Sequence, residues 1–176
     1  LSAYDAAHGV GTGPWHMRGE AAIHDGGVGF ACVRPSGFMA NVLAWSHAVR
    51  ATGLVASSTG DGKIAFIHSR DIADVATAGL LEPALGGSPL AITGPIALGY
   101  GEIVAKLGAA IGRALRYELL DEADERSRWR ARGESDASID YHMSIFRAIR
   151  SGELAATTDT IERVLGQPAT PSTAGL

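Results

Sequence analysis

Cysteine occurs once in these 176 residues, as Cys32, so no disulfide can form within the chain and a reducing, cytoplasmic setting is expected. No apolar run is long enough to span a bilayer, and no secretory signal pattern is present, which excludes a membrane as the expected partner. Basic charge is not in excess. The formal net charge of −4 gives no electrostatic reason to expect nucleic acid. Trp129 stands among Arg128, Arg130 and Arg132, but Asp121, Glu122, Asp124 and Glu125 lie just upstream and offset that cluster. None of the six histidines (His8, His16, His24, His47, His68, His142) pairs with another at metal-ligand spacing along a helix, so no metal is expected. A serine hydrolase would want G-x-S-x-G, and no such elbow occurs. Internal repeats are lacking as well.

What is present is an ordinary globular composition, 46% hydrophobic and 19% charged, in a length that fits one domain with a sizeable core. The pattern is centred on residues 28–41, VGFACVRPSGFMAN. Residues 30–33 are a short apolar run, the signature of a strand buried on both faces, and Cys32 within it reads as a small core residue. Arg34-Pro35 is expected to stop the strand, because proline has no N–H for a sheet ladder. Ser36-Gly37 allow a tight turn into a new apolar segment. Ligands of open α/β sheets sit just past the carboxyl ends of strands, so Pro35, Ser36, Gly37 and Phe38 would line such a crevice. A surface turn of no function would have the same composition.

Around this stretch, strands and helices alternate. Pro14 suits the first position of a helix over 15–24, closed by Gly26-Gly27. A helix is expected over 38–50, strands over 53–56 and 63–67, a helix over 72–81, a strand over 89–93, a helix over 100–111 and an edge strand over 115–119. The charge-dense run 121–132 reads as a solvated helix face, and helices over 141–150 and 160–165 follow. The tail 167–176, rich in Pro, Thr and Ser, is expected to be flexible. The alternation predicts an α/β layer with a small helix-rich cap. The glycine-rich stretch 8–13 lacks the last glycine of GxGxxG, since Pro14 stands there, and reads as a mobile active-site loop rather than a phosphate cradle.

Several segments together resemble the NmrA-like, NAD(P)-binding branch of the atypical short-chain dehydrogenase/reductases, specifically its second half. They are Leu1-Ser2-Ala3, Glu20, residues 34–41 (RPSGFMAN), residues 67–73 (IHSRDIA), Thr93-Gly94-Pro95 and residues 161–166 (IERVLG). Their order and spacing across nearly the whole chain carry the likeness. Leu1-Ser2-Ala3 then reads as the end of a strand already under way, so the chain is expected to begin partway through a larger domain.

The resemblance implies an α/β fold: the second half of a Rossmann-type parallel sheet with a small helix-rich C-terminal lobe. Residues 1–166 would form this domain, with roughly 37–70 and 95–166 contributing to the lobe. It implies an NAD(P)H-dependent oxidoreductase passing hydride to a small carbonyl or quinone-like acceptor, with NADP favoured over NAD. The nicotinamide end of the cofactor would lie near Pro35, Ser36, Gly37 and Phe38. Typical short-chain dehydrogenases use a tyrosine and a lysine four residues later; Thr12 and His16 occupy those places here. His16 could hold a ribose hydroxyl or supply a proton, and Ser2 matches the strand-end serine that hydrogen-bonds substrate. The same two residues could equally be a helix histidine and a strand-end polar group. Asp71 and Glu20 read as structural, Asp71 as a helix-N-terminal acid favoured by the macrodipole.

Tyr4, Trp15, Phe38, Met39 and Trp45 could wall a flat substrate, or simply belong to the core; exposure decides between these. The missing tyrosine and lysine keep open a second class, a non-enzymatic NAD(P)-binding redox sensor. Half of a doubly wound sheet also leaves an edge to cover, so self-association into a homo-oligomer stays open.

Overall fold

The apolar run expected to form the central strand does so, shifted two residues: β1 is Cys32–Pro35, in a computed structural model that describes residues 1–171. Pro35 therefore ends the strand from inside it. The hydrogen-bond alternation explains why. Val33 accepts from the Ser2 N–H on one side, and the Ser36 N–H donates to Ile92 on the other. The nitrogen of Pro35 points to the Ser2 side, so its missing N–H leaves the ladder to the next strand intact. That partner is β4 (Pro89–Ile92), parallel to β1 with Pro35 opposite Ile92.

Two further strand pairings, one of the same length and one shorter, occur among the described residues. β2 (Leu54–Ser57) runs parallel to β6 (Arg116–Leu119), the expected edge strand, and β3 (Lys63–Ile64) is antiparallel to β5 (Leu98–Gly99). The strand expected over 63–67 is thus only two residues long. Beyond it the backbone pairs elsewhere: Ala65 with Leu154 and Gly94, and Ile67 with Gly37 and Met39.

The helices are α1 (Gly13–Asp25), α2 (Ser46–Thr52), α3 (Ser69–Leu81), α4 (Tyr100–Ala110), α5 (Glu122–Ala131), α6 (Asp136–Ser151) and α7 (Thr160–Leu165). The single helix expected over 38–50 is instead a 3₁₀ helix, Met39–Trp45, running into α2. Gly53, in the left-handed region at φ 68°, ends α2 where a side chain would be strained. One core joins Val33, Ile67, Ile72, Val75, Ile92 and Ile161 around the β1–β4 pair. A second, holding Phe66, Leu98, Ile103, Ile149 and Leu154, lies under the helix-rich part. The α/β layer with a helix-rich C-terminal region matches the fold class expected from the resemblance.

Asp71 is structural for a stronger reason than the macrodipole. It is 3% exposed, and its carboxylate accepts from the Thr170 N–H at 2.8 Å and the Thr170 hydroxyl at 2.6 Å. Ala169 packs on the core beside it. Within the tail expected to be flexible, this clamp holds the described part; residues 172–176 lie outside the described residues. Asp71→Ala is expected to destabilise the chain by about 3 kcal/mol, the scale of two hydrogen bonds to a buried charge. Urea unfolding would check this, and a Thr170→Val change should cost less because the backbone N–H bond survives.

Candidate functional site

Beyond Pro35 the chain turns through Ser36 and Gly37 and is stitched at once to the segment beside it. Ile67 donates to the Gly37 carbonyl and Met39 donates to the Ile67 carbonyl, both at 2.9 Å. A Cβ on Gly37 would sit 2.8 Å from Ile64 Cδ1 and Phe66 Cε1, so glycine is what lets the turn lie this close. Pro35, Ser36, Gly37 and Phe38 line one side of a cleft of about 850 Å³. Its other walls come from the 3₁₀ helix Met39–Trp45, from α5 and from α6. A volume of this order is that of cofactor and small-molecule sites.

The cleft brings together seven of the expected site residues: Ser2, His16, Pro35, Ser36, Gly37, Phe38 and Trp45, with Thr12 beside His16. Three others lie elsewhere. Tyr4 and Met39 are buried in the second core, and Trp15 is 65% exposed and outside the cleft lining, on the first turn of α1. The spacing of aromatics along the chain could not separate these cases: Trp15 and His16 are adjacent in sequence and their rings meet edge-on at 4.9 Å, yet only His16 lines the cleft.

Ser2 is held firmly. Its hydroxyl donates to Glu20 at 2.5 Å, and the same carboxylate takes two hydrogen bonds from Arg34, at 2.8 Å and 2.5 Å. Arg34 chiefly, and Ser2 secondarily, pull the Glu20 carboxyl down to about 2 against the opposing effect of burial. Cys32 beside them is pushed up to about 11, first by burial and then by Glu20. It is a core thiol, as its place in the apolar run suggested. The glycine-rich stretch expected to be mobile is tied to α6: the Gly11 N–H donates to the Ser144 hydroxyl at 3.0 Å.

Sequence reasoning missed the far wall. Glu125 belongs to the charge run that reads as a solvated face, yet it is 3% exposed and lines the cleft. Its Oε2 accepts from the Ser58 N–H at 2.5 Å and its Oε1 from the Trp129 indole N–H at 3.4 Å. The one signal available was Trp129 four residues on, one helical turn away. A continuous series of ring contacts crosses this wall: Trp45 to Tyr100 at 5.1 Å, Tyr100 to Phe146 at 6.2 Å, Phe146 to Trp129 at 6.3 Å, Trp129 to His142 at 4.3 Å. Burial first, then the Glu125 charge, raises the Tyr100 hydroxyl well above its ordinary range, so it stays neutral. His142 Nδ1 lies 2.8 Å from the Ser138 carbonyl; a carbonyl only accepts, so this nitrogen carries the proton. Asp5, also on the cleft, is raised by burial against the lowering effect of His16 and His8.

No protein-family model matches the chain. Curated relatives do. The NAD(P)H azoreductase of Xenophilus azovorans is 31% identical over 160 residues, 91% of this chain and 56% of that protein. The (4-alkanoyl-5-oxo-2,5-dihydrofuran-3-yl)methyl phosphate reductase of Streptomyces griseus is 34% identical over 152 residues, 86% of this chain and 54% of that protein. Among solved structures, the NADPH-dependent quinone oxidoreductase of Escherichia coli, complexed with NADPH, superposes with a TM-score of 0.86 at 25% identity over 98% of this chain and 61% of that one. The chain spans about half the length of the curated relatives it matches. It is therefore a Rossmann-type α/β chain related in sequence to proteins named as NAD(P)H-dependent reductases.

Proposed function

We propose that this chain supplies the nicotinamide-and-substrate side of an NmrA-like NAD(P)H-dependent oxidoreductase that reduces a small carbonyl or quinone-like acceptor. One observation carries the reading: the Pro35 turn leaves the carboxyl end of a parallel strand and opens on the large cleft. That is where open α/β sheets receive ligands. The names of the relatives, an NAD(P)H azoreductase and a quinone oxidoreductase solved with NADPH, support it. Residues 1–166 act as one domain in this proposal, with 37–70 and 95–166 forming the lobe over the substrate and NADP favoured over NAD.

The residues at the strand end fit a flat ring: Pro35, Ser36, Gly37 and Phe38 form one close-set edge of the cleft. These residues would hold a reduced nicotinamide, which when bound would supply hydride chemistry, and Trp45 would wall the acceptor. His16 orients the ribose or the substrate. Ser2 gives its proton to Glu20, so its oxygen presents lone pairs and accepts from whatever N–H or O–H the ligand brings. Positioning of this kind is the main requirement when hydride passes to a conjugated acceptor.

NADPH oxidation by the whole protein, followed by absorbance across a panel of quinones and enones, tests the proposal. Turnover is expected, and His16→Ala should lower kcat/KM about tenfold or more. Tight cofactor binding with no turnover on any acceptor would instead support a non-enzymatic redox sensor. Thr12, which lines the cleft where a short-chain dehydrogenase has its tyrosine, favours that second reading.

A further inference from the structure

Asp5 stands just past Ser2, on a 3₁₀ turn over Tyr4–Ala7, and lines the cleft together with Ser2, Thr12 and His16. The glycine-rich loop that follows is built around it. The His8 and Gly9 N–H groups donate to the Asp5 carbonyl at 3.0 and 2.9 Å. Where the chain returns, only glycine fits: a Cβ on Gly11 would lie 2.7 Å from Asp5 Oδ2, and one on Gly13 would collide with the Asp5 carbonyl oxygen. The half-buried carboxyl is thus walled on its loop side. Among the described residues no side chain donates a hydrogen bond to it, and no cation stands within ion-pairing distance. The titratable groups that face it are His8 at the end of its own turn, His16 on α1 and Tyr141 on α6. Burial raises the carboxyl, outweighing the lowering effects of His16, His8 and its own backbone N–H. Glu20, the acid on the other side of Ser2, is held by Arg34 at about 2 and stays ionised. Two carboxyls at one site whose surroundings push their proton affinities apart is the pattern that marks an acid.

We propose that Asp5 is the acid that protonates the reduced acceptor, the part that Thr12, having no phenol, cannot play in the tyrosine's place. The inference rests on the oxidoreductase reading and names a further residue of the same site. A neutral carbonyl or quinone that takes hydride becomes an oxyanion and needs a proton. In the step, the acceptor gains the hydride whose C–H bond breaks in the reduced nicotinamide. The electron pair displaced onto the acceptor oxygen then forms an O–H bond with the Asp5 proton, and the Asp5 O–H bond breaks. The acceptor is reduced by two electrons and the nicotinamide oxidised by two. Asp5 is left as a carboxylate, which takes a proton back from water when the cleft empties.

Two measurements test this. The first follows the Asp5 carboxyl carbon by NMR through a pH titration of the chain as it stands, without cofactor. Its midpoint is expected above the ordinary 3.8, and higher again with acetophenone, a neutral ketone whose oxygen accepts from the protonated carboxyl. A midpoint at or below 3.8, or one that acetophenone leaves in place, would overturn the proposal. The second uses Asp5→Asn in the whole protein, with NADPH and menadione, a neutral quinone. Asparagine keeps the shape and a hydrogen-bond donor but has no acidic proton. The change is expected to lower kcat about a hundredfold and to leave KM within about threefold. The unaltered protein should lose kcat as pH rises through the Asp5 midpoint, because the carboxyl then meets the acceptor without its proton; the variant should lack that limb. A variant as fast as the parent, or with the same pH limb, would overturn the assignment of Asp5 while sparing the oxidoreductase reading. No turnover by the unaltered protein would refute that reading and the proton donor with it. The carboxyl titration decides the matter whether or not the variant folds.

Discussion

Replacing Gly94 by alanine is expected to destabilise the chain by about 3 kcal/mol or more, through overpacking against backbone that cannot yield. An added Cβ would lie 2.0 Å from the Phe66 carbonyl oxygen. The surroundings give it nowhere to go. The Gly94 N–H donates to Ala65 at 3.1 Å, and the buried Thr93 hydroxyl donates to the Gly94 carbonyl at 3.0 Å while accepting from the Thr158 N–H at 2.9 Å. Stepping away would break these bonds and open the join between the two cores. Gly19 provides the contrast. It lies inside α1 with nothing within 4 Å of an added Cβ, so Gly19→Ala should stabilise by roughly 0.5–1 kcal/mol. Denaturation midpoints of the two variants should move in opposite directions; a Gly94→Ala protein as stable as the parent would contradict the packing described here.

Arg34→Leu is the second change with a large expected cost, about 2–3 kcal/mol. Breaking a buried pair by removing one partner typically costs roughly 3–5 kcal/mol, and some solvent contact lowers the figure here. The side chains of Arg34 and Glu20 are 14% and 13% exposed. The substitution removes both Arg34 hydrogen bonds from the Glu20 carboxylate and leaves the one from Ser2. The pair also sets an acid dependence. Glu20 is lowered from 4.5 to about 2, so its contribution is complete above pH 4.5 and is lost as pH falls from 4.5 to 2. Glu122 is likewise lowered to about 2, mainly by Arg147, and acts in the same window. Glu20→Gln should therefore flatten part of the acid limb of the stability profile, leaving the Glu122 part. An unchanged acid limb would show that the Arg34 bond does not hold the carboxyl as described.

Much of the architecture was legible from the pattern alone. The helix over 160–165 and the parallel strand near 89–93 sit where periodicity and glycine breaks put them, because local backbone preference and burial agree there. Pro35 misled by one step. The rule that proline stops a strand is sound only when its nitrogen faces the ladder, and facing is a matter of register with β4. The helix expected over 38–50 divides into the 3₁₀ helix Met39–Trp45 and α2, a division that an apolar run does not show.

The order and spacing of the sequence motifs carried the likeness to NAD(P)-binding reductases, while composition and local pattern by themselves determined the α/β class and the strand–Pro–Ser–Gly turn. Those follow from nearest-neighbour sterics and from hydrophobic period. Only the tertiary structure decided that Trp15 faces outward while Trp45 faces the cleft, that Asp71 clamps Thr170, and that Glu125 is buried. The reason is common to all three. A side chain's surroundings come from chain segments distant in sequence, 99 residues away for Asp71 and 67 for Glu125. No local signal distinguishes a solvated carboxylate from a buried one until those segments close over it.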